Sequence, residues 1–186
     1  MPTERSKLAN AYTKAADEPL KKFTHSVDKN LYNFRFAEAI NRSMPAAKII
    51  HCRRKPLYNV LSVLRSNLSA GNNYTADPAD GAKFIIHQQE LLSPLKETAG
   101  NQIFTFDYDN FTNSPENQAR ELINWIGLQW NDHYLHPEQS GRSINTASVI
   151  QARRPISNRS VGGWNNYKEL LKPAEAVLRE SGLFNI

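Results

Sequence analysis

Apolar and polar positions follow two spacings along this chain, one helical and one strand-like, and they alternate. Residues 5–22 read as a polar helix interrupted at Pro19, and Phe23 to Val27 suggests a short strand. Phe34, Phe36, Ala37 and Ile40 fall on one face of a helix over 33–42, which Met44-Pro45 ends because proline disfavours helical geometry in the residue before it. A compact apolar run at 49–52 predicts a buried strand. Leu57, Val60, Leu61, Leu64 and Leu68 then predict an amphipathic helix over 57–68. The Gly-, Asn-, Asp- and Pro-rich stretch 69–78 predicts a loop, followed by a long helix over 80–98. Ile103, Phe104 and Phe106 predict a second strand over 102–108. Ser114-Pro115 reads as a helix cap with proline in the first turn, and Gly127 as the stop of that helix. Residues 130–143 lack a period, 147–164 are punctuated by Pro and Gly, and a last helix is expected over 165–181. Strands alternating with helices predict an α/β fold, a three-layer parallel sheet flanked by helices.

Composition narrows the class. With 186 residues and 40% apolar content the chain is long enough to bury a core. No apolar run approaches the roughly 20 residues a membrane span needs, and no apolar signal segment follows the polar N-terminus. The expectation is a cytoplasmic protein that does not engage a membrane. Cys52 is the only cysteine, so an internal disulfide and a Cys-rich metal site are excluded.

Charge is unevenly distributed around the net +5. Residues 39–76 contain no acid but carry Arg42, Lys48, Arg53, Arg54, Lys55 and Arg65. Residues 139–168 again contain no acid but carry Arg142, Arg153, Arg154, Arg159 and Lys168. The intervening stretch is mostly acidic. Two basic windows around an acidic one point to an anion site assembled in space. Its centre is the run Lys48-Ile49-Ile50-His51-Cys52-Arg53-Arg54-Lys55-Pro56: apolar strand, basic turn, helix. A helix start offers unpaired backbone N–H groups and the positive end of the helix dipole to an anion. Ser62 lies about two helical turns past Arg54. The chemistry is that of a phosphate grip for a nucleotide-type ligand.

Three blocks carry a family resemblance: DKNLYNFRFAEAINRSMPAAKIIHCRRKPLYNVLS, FDYDNFTNSPENQARELINWIGLQW and INTASVIQARRPISNRSVGGW. In order and spacing they resemble the sulfotransferases, especially the tyrosylprotein type and the bacterial forms fused to helical repeats. The resemblance runs from about residue 22 onward and implies the C-terminal portion of a P-loop-nucleotide-hydrolase-like domain. It divides the chain into an N-terminal helical segment, 1–22, and a sulfotransferase-like domain, 23–186, that is incomplete. It implies 3′-phosphoadenosine 5′-phosphosulfate as sulfuryl donor, a hydroxyl-bearing acceptor and no metal. It further implies that Arg54 and Ser62 hold the 3′-phosphate, and that Tyr108 lies near the adenine. Ser148, Gln151, Arg153, Arg154 and Ser157 would belong to a late cofactor-binding loop. Lys29 would be catalytic, neutralising charge on the bridging oxygen as the sulfuryl group departs.

Two departures from the family pattern shape the expectation. The family begins with a strand and a Gly-, Ser- and Thr-rich phosphate loop, whereas residues 1–22 contain no glycine. The family also places a basic residue immediately before the anchoring tryptophan, where this chain has Gly163 before Trp164. The 3′-phosphate half of the site is therefore expected here, with the sulfuryl half, including the general base, supplied by a missing N-terminal portion or a partner chain. Three readings stay open: a sulfotransferase domain acting on a tyrosyl peptide, carbohydrate or other hydroxyl; a non-catalytic binder of adenosine 3′,5′-bisphosphate; and, least favoured, a basic nucleic-acid-binding module. The last lacks zinc spacing, an RNA-recognition aromatic motif and helix-turn-helix punctuation.

Overall fold

The structure, a computed structural model, describes residues 4–15, 23–66, 68, 71–141, 153–158 and 163–186. These divide into two compact units, one drawn from Met1–Ile49 with Gln88–Ile103, the other from Ile50–His87 with Phe104–Ile186.

In the first unit, helix α1 (Glu4–Ala15) packs on α2 (Ala37–Ser43), which continues a 3-10 turn, Asn33–Phe36. Phe34 and Ala37 are buried there, as the helical spacing predicts, whereas Phe36, expected on the same face, is exposed and Ile40 is half-buried. The Asn41 side-chain amide donates to the Gln102 carbonyl oxygen at 2.6 Å, and Gln102 donates to the Met44 carbonyl at 2.8 Å. The two bonds tie the end of α2 to the approach of the second strand. The strand expected over 23–27 is absent; the stretch is irregular, with Phe23 and Val27 exposed. Alternating apolar residues make a strand only where another strand takes up their backbone hydrogen bonds, and none does here.

The second unit contains the two strands found among the described residues, β1 (Ile49–Arg53) and β2 (Ile103–Asp107). They pair in parallel, and each contributes its first residue to the other unit. A three-layer sheet is not present among the described residues. β1 leads into α3 (Pro56–Arg65), and β2 runs directly into α5 (Tyr108–Asn113) and then α6 (Pro115–Ile126). α4 (Pro78–Thr98) lies between, with its first half in this unit. Phe104 packs on Trp125 of α6 and Phe106 on Phe111 of α5, with ring centres 5.2 and 5.1 Å apart. Gly127 ends α6 at φ +90°, the left-handed conformation glycine adopts without strain.

The core forms where α3 meets the last helix, α7 (Lys168–Glu180). Leu57, Val60 and Leu61 of α3 close on Leu171, Ala174 and Leu178 of α7, with Ala82 of α4 beneath and Trp164 at the side. Residues 171, 174 and 178 recur at helical spacing, so a single stripe of α7 is buried while Leu170 beside it is half exposed. No described helix is long and apolar enough to cross a membrane.

Candidate anion site at the strand ends

Parallel pairing puts the carboxyl ends of β1 and β2 side by side, so the turn after each strand opens on the same edge of the sheet. Open α/β sheets bind ligands at such an edge. After β1 come Arg54 and Lys55; after β2 come Tyr108 and Asp109, in the first turn of α5.

Lys55 is the N-cap of α3 and Pro56 its first residue, a position where the missing proline N–H costs nothing. No side chain from α3 caps this end. The acceptor arrives from the first turn of α5: the Lys55 N–H donates to Asp109 Oδ2 at 2.8 Å. Tyr58 and Asn59 donate their N–H groups to the Lys55 carbonyl at 3.0 and 3.1 Å. The head of α3 therefore spends these donors internally, with a carboxylate of the chain's own at its positive end. Of the helix-start amides expected to await an anion, these three are taken up within the chain. The chemistry this edge adds for a ligand is that of its side chains.

That chemistry centres on Arg54. Its Nε lies 3.5 Å from Asp109 Oδ1, an ion pair too long for a hydrogen bond, and the side chain is only 19% exposed. The guanidinium carbon stands 5.1 Å from the Tyr58 ring centre and 5.2 Å from that of Tyr108. Both distances fall within cation–π range. Tyr58 is buried and meets Trp164 edge-on at 6.1 Å; Tyr108 is 39% exposed and presents an aromatic surface beside the cation. Asp109 is buried at 6% exposure. Within its own turn, the Thr112 hydroxyl donates to the Asp109 carbonyl at 3.0 Å.

The structure thus joins Arg54 and Tyr108 in one cluster. Ser62 stands exposed further along α3, outside the buried stripe. Lys29 is exposed in the irregular stretch before the first 3-10 turn and belongs to the other unit. Its neighbour Asp28 accepts a hydrogen bond from Tyr12; burial first, then Asp28, pushes the Tyr12 phenol above its ordinary value. Arg153, Arg154 and Ser157 are exposed, while Ser148 and Gln151 lie outside the described residues. Sequence reasoning missed Tyr58 and Asp109. Both lie within the quoted blocks, but their partners are set by the pairing of the strands and by α3 packing.

A separate concavity lies further on in the same unit. Two open clefts of about 230 and 580 Å³ share Trp130; the smaller is bounded by Arg120 and Asn124, the larger by Asp132, His133 and His136. Arg120 lies 4.1 Å above the indole, whose N–H donates to Asp132 at 2.7 Å. None of the expected donor-site residues lines either cleft.

Taken together, the parallel strands and the helices after them define a mixed α/β protein with an aromatic-walled cation at the strand ends. Residues 2–132 match the sulfotransferase family model, a span that takes in Lys29, Arg54, Ser62 and Tyr108, and the chain belongs to the sulfotransferase family. It is also similar to an uncharacterized protein of Aquifex aeolicus (strain VF5), 31% identical over 158 residues. That alignment covers 83% of this chain and 21% of the relative, so the chain spans about a fifth of the longer protein.

Proposed function

We propose that this chain forms the nucleotide-binding part of a sulfotransferase that uses 3′-phosphoadenosine 5′-phosphosulfate, with Arg54 and Ser62 holding the 3′-phosphate and Tyr108 lying beside the adenine. The observation that carries the reading is the meeting of Arg54 and Tyr108 at the carboxyl ends of the paired strands. A planar fork of donors next to an exposed aromatic face suits a phosphate attached to a purine nucleoside. The donor, when bound, supplies the sulfuryl group that passes to an acceptor hydroxyl as that hydroxyl loses its proton, releasing adenosine 3′,5′-bisphosphate. Lys29 neutralises charge growing on the bridging oxygen, and its cation acts on the reaction rather than on affinity. Ser148, Gln151, Arg153, Arg154 and Ser157 are assigned to cofactor binding in the same reading. Membership in the tyrosylprotein or helical-repeat type, and a tyrosyl peptide or carbohydrate as acceptor, are part of the same proposal.

One observation favours a second reading, a non-catalytic binder of adenosine 3′,5′-bisphosphate. The cluster at the strand ends supplies binding groups, a cation between two aromatic rings, while Lys29, the proposed catalytic cation, belongs to the other unit. Calorimetry with adenosine 3′,5′-bisphosphate tests what the two readings share. Binding is expected, with Arg54→Ala weakening it about 10- to 100-fold, the range of a lost charge-assisted hydrogen bond. No heat with the intact chain refutes both. A radiolabelled sulfuryl-transfer assay then separates them: the first expects turnover that Lys29→Ala lowers in kcat with little change in nucleotide affinity, the second expects none.

A further inference from the structure

Asp109 is a buried carboxylate whose two oxygens have different partners. Oδ2 accepts the Lys55 N–H at 2.8 Å, and Oδ1 faces Arg54 Nε at 3.5 Å. A buried charge is costly unless it is paired and hydrogen-bonded, and this one is placed to be both, at the positive end of α3. The contact also orients its partner. A guanidinium is a rigid plane with a side edge at Nε and an end edge carrying the two terminal nitrogens. Turning the Nε edge toward Asp109 directs the end edge away from that carboxylate. Tyr58 and Tyr108, at 5.1 and 5.2 Å, restrict the plane further. A cation aimed before the ligand arrives loses less conformational freedom on binding.

We propose that Asp109 is a positioning residue that aims Arg54 at the 3′-phosphate, and so sets the preference of this site for 3′-phosphorylated adenosine nucleotides. The inference rests on the donor-binding reading above. A negative charge near an anion site would by itself weaken anion binding. The gain must come from geometry, and charge and geometry predict opposite effects when Asp109 is neutralised.

The test compares adenosine 3′,5′-bisphosphate with adenosine 5′-monophosphate by calorimetry on the intact chain, Asp109→Asn, Arg54→Ala and the double variant. The intact chain is expected to prefer the bisphosphate. Asp109→Asn, which keeps an oxygen for the Lys55 N–H, is expected to cut that preference about tenfold. Adding it to Arg54→Ala should lower the preference no further, because coupled residues are not additive. An equal loss for both nucleotides makes Asp109 merely structural and overturns the inference. A preference that rises or stays constant overturns it too, leaving only counter-charge. No preference in the intact chain overturns the donor-binding reading along with it. If Asp109→Asn does not fold, Asp109→Glu keeps the charge, displaces it by one methylene, and is expected to show the same selective loss.

Discussion

Leu178 offers a quantitative check on the core that carries the site. Its side chain has 0% exposure in the cluster where α7 meets α3. Leu178→Ala removes three carbons; at about 0.8 kcal/mol per buried methylene the transfer loss is roughly 2.4 kcal/mol. The unfilled cavity raises the total to about 3–4 kcal/mol. For a chain of this length, that lowers Tm by about 10 °C. Leu170, eight residues earlier on α7, is 52% exposed, so Leu170→Ala should shift stability by less than about 0.5 kcal/mol. Urea unfolding followed by tryptophan fluorescence is a suitable assay, because Trp164 packs against the same cluster. A Leu178→Ala loss below about 1 kcal/mol, or an equal loss from Leu170→Ala, would refute this account of which face of α7 is buried.

Two further outcomes follow from local structure. Gly127 holds φ at +90° with open space where a Cβ would stand, so Gly127→Ala should cost about 1 kcal/mol from backbone conformation alone, read in the same urea titration. Cys52 is an exposed residue, but its thiol is partly desolvated by the protein around it, which pushes it above its ordinary value and leaves less thiolate at a given pH. Iodoacetamide should accordingly modify the native protein more slowly at pH 8 than a free thiol, its rate rising only at higher pH; urea-unfolded protein should regain the ordinary profile.

The elements legible in sequence are those whose cause is local. The run Ile49–Cys52 states a strand, though not the buried one expected, since Ile50 and Cys52 are exposed and His51 is the residue turned inward; the spacing of Leu57, Val60 and Leu61 states an amphipathic helix, and Pro56 and Gly127 mark a helix start and a helix stop. What was not legible depends on a distant partner. Residues 23–27 alternate like a strand, but they form none because no strand pairs with them. Arg54 stands out in its strand–basic turn–helix run and Tyr108 by resemblance, yet nothing in their spacing states that β1 and β2 are neighbours. Asp109 was passed over for the same reason. One residue beyond Tyr108, it looks like an ordinary polar position after a strand. Only parallel pairing brings it to the head of α3.

That pairing also governs how a loss at Arg54 should be interpreted. Arg54 serves the proposed ligand and also the fold, because its removal leaves a buried Asp109 with the Lys55 amide and the α3 dipole as its remaining described support. Breaking a buried pair by deleting one partner is more costly than its net contribution, since the other charge stays behind. Arg54→Ala therefore mixes a ligand contact with a stranded carboxylate, and its affinity loss alone does not measure a phosphate grip. Arg54→Lys separates the two contributions. It keeps a positive charge beside Asp109 and removes the planar fork. If the recognition argued here is geometric, the lysine variant retains most of the stability and little of the preference for a 3′-phosphate. If any cation suffices, it retains both, and the orientation imposed by Asp109 has no work to do.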